Sequence, residues 1–165
     1  MDIAACRNST DISLRGHRIW MIALVLIALT PAHAEENGVL GRWMDPTGSM
    51  IEIDRCAASV CARLVALGMQ APSRVDANNP DAAQRTRSLC GLRIGSNFHL
   101  IDPNHADGGQ LYDPKTGKTY SGSMTSAGDS LKLRGYIGIK LFGKTETWTR
   151  VGAGAAQAGS QSSCS

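Results

Sequence analysis

A stretch near the C-terminal end of the chain matches a pattern that binds phosphate. Residues 138–145, GIKLFGKT, begin with Gly138, end with Thr145 and satisfy the phosphate-loop pattern G-x-x-x-x-G-K-T. Such a loop needs a helix directly after it, whose N-terminus and amide groups point at the phosphates. Residues 146–151, ETWTRV, favour a strand instead because they are rich in β-branched and aromatic types. We therefore interpret the motif as a coincidence and predict no nucleotide binding.

A short acidic segment, residues 76–81 with the sequence DANNPD, offers oxygen ligands of the kind that Ca²⁺ prefers. It lacks the calcium-loop pattern, because Asp81 stands where that loop needs glycine. Asx turns and helix capping explain the segment better, since Asn79 precedes Pro80 at a helix N-cap position. We predict one short helical turn here, no metal site and no cofactor.

Polar side chains also share faces of two predicted strands. Arg134 and Tyr136 lie two residues apart on one strand, as do Lys118 and Tyr120 on another. At the mouth of a barrel, such a cluster can orient a small ligand. His99 and His105 lack a Ser or Cys at supporting spacing, so no catalytic residue is assigned.

The candidate ligand-binding residues are therefore Asp76, Asn79, Asp81, Lys118, Tyr120, Arg134 and Tyr136. A structural interpretation of the same residues competes with this one and is favoured over it. Arg134 would pair with Asp76 or Asp81 and fix the long connection, residues 69–88, over one end of the barrel.

Cysteines suggest an oxidising compartment. After residue 34 the chain contains Cys56, Cys61, Cys90 and Cys164, an even number that allows three pairings. We favour a bridge between Cys56 and Cys61, which would staple a hairpin. The rival bridge joins one of these two to Cys90 and leaves Cys164 free.

Periodicity predicts short strands separated by Gly, Asp and Pro turns. The predicted strands are residues 39–45, 50–55, 62–68, 89–94, 97–101, 110–112, 118–125, 130–137, 138–142 and 144–151. This pattern indicates an all-β fold, a small antiparallel barrel or a sandwich. Trp43 on the first strand and Arg150 on the last resemble the closing pair of lipocalin- and avidin-like barrels, with the guanidinium over the indole. A core Trp and a surface Arg on a sandwich are the alternative.

The N-terminus resembles a signal peptide. Arg7, Arg15 and Arg18 precede an apolar run, residues 19–29, and the small-x-small sequence that ends at Ala34. We predict cleavage after Ala34, a periplasmic or secreted protein, and no transmembrane span after cleavage. Three of the 17 Lys and Arg and two of the 14 Asp and Glu precede residue 35, which leaves a formal charge of +2 and no basic run for nucleic acid.

The domain organisation follows from these boundaries. Residues 35–151 are predicted to form the barrel domain of about eight strands. Residues 152–165, GAGAAQAGSQSSCS after Val151, lack apolar bulk and are predicted to be a flexible tail.

The chain resembles a secreted bacterial family catalogued as domain of unknown function 2147. The resemblance spans residues 38–151 and rests on motifs in the right order, which are GRW at 41–43, CARL at 61–64, DANNPD at 76–81, CGL at 90–92, GGQLYDP at 108–114, GKTY at 117–120, LKLRGY at 131–136 and WTR at 148–150. The chain departs from the family pattern at Ala62, where Gly is usual, at Lys144, where Arg is usual, and along residues 97–107. The resemblance implies a lipocalin-like β-barrel in the cell envelope and supplies no activity.

Three functions remain open at this stage. The favoured one is a non-enzymatic module that binds a small, partly apolar ligand in or at the mouth of the barrel. The second is an envelope protein that interacts with cell-wall or membrane-protein partners. The third is a hydrolase with Asp, Tyr and Arg groups at the barrel mouth, which requires two convergent groups with perturbed pKa values.

Overall fold

Short antiparallel strands make up most of the structure, a computed structural model that describes residues 38–152 and 162–164. The strands are β1 (Gly41–Met44), β2 (Met50–Cys56), β3 (Ser59–Leu67), β4 (Arg93–Asp102), β5 (His105–Asp113), β6 (Lys118–Ala127), β7 (Ser130–Tyr136), β8 (Lys144–Arg150) and β9 (Ser162–Ser163). Two short 3₁₀ helices, Ala82–Gln84 and Lys140–Phe142, lie in connections between strands. The described residues contain no helix that is long and apolar enough to cross a membrane.

Strands β1 to β8 close into a barrel. Each pairs antiparallel with the next along the chain, and β8 pairs back with β1. Alternation explains the wall, because Ile51 and Ile53 of β2 are buried, while Glu52 and Asp54, each of which follows one of them, are partly exposed. The predicted all-β, lipocalin-like barrel of about eight strands is confirmed, and the long connection does contain one short helical turn.

Three strand predictions were wrong. Residues 89–94 and 97–101 were predicted as separate strands, but residues 89–92 are not in a strand and a single strand, β4, runs from Arg93 to Asp102. Asn97 bends it at φ +59°, and the register with β3 shifts at the adjacent residues. Residues 138–142 are not a strand either. They form a connection with one 3₁₀ turn, and β8 begins at Lys144, where a phosphate loop would need its helix.

One end of the barrel, called here the closed end, is packed with side chains. Residues 38–40 cross it, and the Val39 N–H donates to the carbonyl of Pro103 at 2.8 Å. Gly38 approaches so closely that a Cβ would lie 2.1 Å from the Pro103 oxygen, and its φ of +111° also favours glycine. Trp43 and Phe98, both fully buried, fill the interior above this crossing.

The first and last barrel strands meet at the closed end. Trp43 pairs in register with Arg150, whose guanidinium lies 4.0 Å from the centroid of the indole ring. The same guanidinium donates to the carbonyls of Gly38 and Leu40. The contact therefore ties the N-terminal crossing, β1 and β8 together, and a cation over an indole contributes about 0.5–2 kcal/mol.

Disulfides connect Cys56 with Cys61, across the β2–β3 hairpin, and Cys90 with Cys164. The rival pairing that left Cys164 free was wrong. The described part of the predicted flexible tail is also ordered against the barrel, because Ser162–Ser163 pair with Leu67 and Ala66 of β3. Beyond residue 64 that edge of β3 has no register with β4, so its backbone groups accept β9. Two disulfides are compatible with an extracellular or periplasmic location.

The opposite end, called here the mouth, carries three short turns and the long connection. The turns are residues 45–49, 114–117 and 137–143. The long connection, predicted as residues 69–88, spans residues 68–92 in the structure and keeps that meaning below. Strand β1 pairs with β8 only as far as Met44 and Thr149, whereas β7 pairs with β8 along its length to Lys144. Within the described chain, the mouth-side half of β8 therefore pairs with β7 and not with β1.

Candidate functional site

A cavity of about 770 Å³ opens at the mouth of the barrel. Its volume lies within the range of sites that hold small organic molecules, roughly 300–1,000 Å³. The lining on strands β3 to β8 consists of Leu64, Leu67, Ile94, Leu111, Tyr112, Tyr120, Leu133, Gly135, Lys144, Glu146 and Trp148. The rest of the lining comes from the turns 45–49 and 113–116 and from the long connection.

Apolar side chains form the body of the cavity. Leu64, Leu111, Leu133 and Trp148 are all buried, and each comes from a different strand. Alternation places them inside, because their neighbours along each strand point to the outer face. Apolar surface that is held open to a cavity gains free energy when an apolar ligand covers it, about 25 cal/mol per Å².

Phe98 limits the depth of the cavity. Its ring lies against the backbone of Gly109, where an added Cβ would be 2.3 Å from the ring. At Gly122 a Cβ would meet both the Leu111 side chain at 2.7 Å and the Phe98 ring at 3.0 Å. The glycines thus let a large ring fill the barrel centre, and Leu111 lies between this plug and the cavity. The interior is packed at one end and open at the other.

Charged groups at the rim differ in whether they are already hydrogen-bonded. Glu146 accepts from the indole N–H of Trp148 at 2.7 Å, and Asp113 accepts from Thr116 Oγ1 at 2.9 Å. The ammonium groups of Lys115 and Lys144 have no acceptor in the part of the chain that the structure describes. Both lysines line the cavity together with Asp45, Asp113 and Glu146, so the rim carries charges of both signs and its unpaired hydrogen-bond donors are the two ammonium groups.

The long connection covers one side of the mouth and is anchored by a buried carboxylate. Asp76 is fully buried and accepts three hydrogen bonds from side chains. Tyr112 Oη donates at 2.6 Å, Asn79 Nδ2 at 2.7 Å and Arg87 Nε at 2.9 Å. Arg87 Nη2 also lies 2.7 Å from Oδ2, the same oxygen that Nε contacts, so the ion pair is charge-assisted and made through one carboxylate oxygen, while Tyr112 donates to the other. Because Tyr112 belongs to β5 and lines the cavity, this network fastens the connection to the cavity wall.

Both central groups of the network have shifted pKa values. Burial raises the pKa of Asp76, but the hydrogen bonds from Tyr112, Asn79 and Arg87 outweigh it, and the net pKa lies below the ordinary value of 3.8. The pKa of Tyr112 is raised above 10.0, first by burial and then by its hydrogen bond to the Asp76 carboxylate. Asp76 is therefore charged and Tyr112 neutral at neutral pH.

The structure does not gather the candidate ligand-binding residues in one place. Asp76 and Asn79 lie together behind the cavity wall, while Asp81 caps the 3₁₀ helix by accepting from the Ala83 N–H at 3.0 Å. Of the remaining four, Tyr120 lines the cavity, and Lys118 is exposed at the start of β6. The prediction brought together residues that the fold separates.

Arg134 and Tyr136 lie on the outer face of β7, because Leu133 and Gly135 face the interior. The structural interpretation had predicted that Arg134 pairs with Asp76 or Asp81, and it does not. Its guanidinium donates to the carbonyls of Lys140 and Leu141 and to the hydroxyl of Thr145. These contacts shape the β7–β8 connection.

A hydrolytic site of the predicted kind finds no support in this arrangement. Asp76 is held in the ion pair with Arg87, Asp81 is a helix cap, and Arg134 binds backbone carbonyls. The two convergent acid–base groups that such a site requires would have to come from these residues. Each of them instead has a structural partner.

Several residues of the site were missed from the sequence. Lys144, Glu146 and Trp148 occupy every second position of β8 and therefore lie on the same face of the strand. This spacing could have assigned all three residues to the barrel mouth. Trp148 was considered only with Arg150, its neighbour at the barrel seam. Tyr112 belongs to a quoted motif, but no pattern in the sequence connects it with Asp76, which lies 36 residues away.

Comparisons with known proteins agree with this geometry. The solved structure of protein HP1028 from the human pathogen Helicobacter pylori, described as belonging to the lipocalin family, is similar with a TM-score of 0.64 and 22% sequence identity. The match covers 71% of this chain and 85% of that one, and it supports the fold alone. No curated protein matches the chain. The family model of an uncharacterized protein conserved in bacteria, DUF2147, matches residues 41–150, so the chain belongs to that family.

Proposed function

We propose that the protein is exported and binds a small, partly apolar molecule in the mouth cavity without transforming it. The observation that supports this most directly is the cavity of about 770 Å³ behind a ring of buried Leu and Trp side chains. A barrel whose interior is packed throughout would have no room for such a molecule. Here the packing stops at Phe98 and Leu111.

The ligand is inferred to have an apolar body and an acidic group. Leu64, Leu133 and Trp148 offer only apolar surface to the body, apart from the indole N–H that Glu146 already occupies. At the rim, the ammonium groups of Lys115 and Lys144 have no acceptor within the described chain and can donate to an acidic group, whereas the carboxylates of Asp45, Asp113 and Glu146 already accept hydrogen bonds from neighbouring side chains. A long-chain or aromatic carboxylic acid has this combination of properties.

A cavity-filling substitution tests the proposal. Gly135 faces the cavity, and a Cβ there would lie 3.5 Å from Tyr120 and 3.9 Å from Leu111, which are ordinary contacts. Gly135→Leu should therefore fold and occupy the ligand space. Thr147→Leu adds similar apolar bulk on the exposed outer face of β8 and is the matched control.

The measurement is a fluorescence titration with two probes, the anionic 1-anilinonaphthalene-8-sulfonate and the neutral N-phenyl-1-naphthylamine. Gly135→Leu should weaken both by at least about tenfold, and Thr147→Leu should leave both unchanged. Lys144→Gln should weaken only the anionic probe, by a few-fold. Equal binding by the wild type and Gly135→Leu would show that the cavity is not the site.

A further inference from the structure

The β7–β8 connection carries an exposed group of large apolar side chains at the mouth. Residues 137–143, called here the apolar loop, contain four of them, which are Ile137 (71% exposed), Ile139 (58%), Leu141 (77%) and Phe142 (80%). Single exposed apolar residues are normal on protein surfaces, whereas several together on one protruding segment mark a contact site.

The backbone of the apolar loop is held in place from beneath. Arg134 donates to the carbonyl of Lys140 from Nε at 2.9 Å and from Nη2 at 2.6 Å, and to that of Leu141 at 3.1 Å. Lys140 forms an ion pair with Asp107 of β5. Because these contacts fix the turn, Leu141 and Phe142 stay turned outward instead of packing on the barrel.

Basic side chains outnumber acidic ones around the apolar loop. Residues 130–145 include Lys132, Arg134, Lys140 and Lys144, whereas the acidic groups nearby are Asp107, which contacts the loop, and Glu146, which follows Thr145. Within the described chain, Lys140 is paired with Asp107, but Lys144 has no acidic partner. An exposed apolar segment beside the unpaired Lys144 and a net basic surface matches the interface of an anionic lipid bilayer, where apolar side chains enter the acyl boundary and ammonium groups meet the headgroups.

The loop also lies next to the cavity. Gly135 precedes it, Lys144 follows it, and both line the cavity. Contact between the loop and a bilayer would therefore bring the cavity opening close to the lipid surface. We propose that the apolar loop docks the mouth of the barrel onto the surface of a membrane that contains anionic lipids. This docking goes beyond ligand binding and stands whether or not the cavity holds a ligand.

Vesicle sedimentation tests the docking. The protein recovered after export, with its N-terminus read by mass spectrometry, is mixed with phosphatidylcholine vesicles that contain or lack phosphatidylglycerol. The wild type should sediment with the anionic vesicles, and less with neutral ones. The double variant Leu141→Ser/Phe142→Ser should lower the partition coefficient by at least about tenfold. Lys144→Gln should lower it about fivefold, because a lysine near an anionic surface contributes about 1 kcal/mol.

The matched control is Ile101→Ser. Ile101 is 63% exposed and lies beside the β4–β5 turn at the closed end, so its loss should leave sedimentation unchanged. The single variants Leu141→Ser and Phe142→Ser provide the same test if the double variant does not fold. No sedimentation of the wild type with anionic vesicles would overturn the proposal, and so would equal losses for the loop variants and Ile101→Ser. The probe titrations above are independent of either result.

Discussion

The fully buried Asp76 carboxylate anchors the long connection to the barrel through its hydrogen bonds. Its partners are a phenol, an amide and a guanidinium, and each donates along a distance of 2.9 Å or less. A buried charge with this set of donors is satisfied in the folded chain. Removing the charge while the donors remain would leave Arg87 without its counter-ion.

The substitution Asp76→Asn should therefore destabilise the protein by about 2–3 kcal/mol, because it breaks charge-assisted hydrogen bonds in a buried network. Asp81→Asn is the control, since asparagine also caps a helix N-terminus and should change little. Urea unfolding measures both. Equal losses at the two positions would contradict a special role for Asp76.

Acidification should act through the same residue. The pKa of Asp76 is held below 3.8, so the folded state binds its proton less tightly than the unfolded chain. Its contribution is therefore fully present above the ordinary carboxyl value and is lost as the pH falls through the folded-state pKa. The difference in unfolding free energy between wild type and Asp76→Asn should be constant from about pH 5 to 7 and should shrink below about pH 4. A difference that stayed constant down to pH 2 would contradict this assignment.

Sequence reasoning found part of this network. Asp76 and Asn79 stood out because Asp and Asn concentrate in turns and caps. Arg134 was predicted to pair with Asp76 or Asp81, whereas the fold brings Arg87 and Tyr112 to the Asp76 carboxylate. Asp76 and Tyr112 are far apart in sequence, and only the path of the connection across the mouth brings them together.

At the scale of elements, residues 162–164 link the long connection to β3. Cys164 is bonded to Cys90 at the end of that connection, and β9 adds to the free edge of β3. The bridged cysteines are 74 residues apart, compared with 5 for Cys56 and Cys61. The longer loop restricts the unfolded chain more.

Removal of the Cys90–Cys164 bridge as Cys90→Ser/Cys164→Ser should cost about 4 kcal/mol of unfolding free energy in the chain-entropy model, and removal of Cys56–Cys61 about 2 kcal/mol. Urea unfolding of the two double variants measures the difference. A larger loss of unfolding free energy on removal of Cys56–Cys61 than on removal of Cys90–Cys164 would mean that loop length does not control how much a disulfide stabilises this protein.

Strand alternation predicted most elements, because inward and outward positions differ in polarity along β2, β6 and β7. It failed along residues 138–142, whose apolar side chains suit a strand but are exposed on a turn that Arg134 shapes. It also missed β9, since residues 162–163 carry no strand pattern.

For the whole molecule, closure of the barrel was predictable from its two ends, since Trp43 and Arg150 follow the pattern of a barrel seam. The open interior was not. Cavity volume depends on where Phe98 and the glycines around it stop the packing, and that is a property of the assembled barrel. Composition is compatible with a filled interior or an open one.

The most direct test of the account is native mass spectrometry of the protein as it is recovered after export. The wild type should carry a small molecule that organic extraction releases, and Gly135→Leu should carry none, because its new side chain occupies the ligand space. Wild-type protein that repeatedly shows only its polypeptide mass, or a Gly135→Leu variant that carries the same adduct, would contradict the assignment of the cavity as a ligand site.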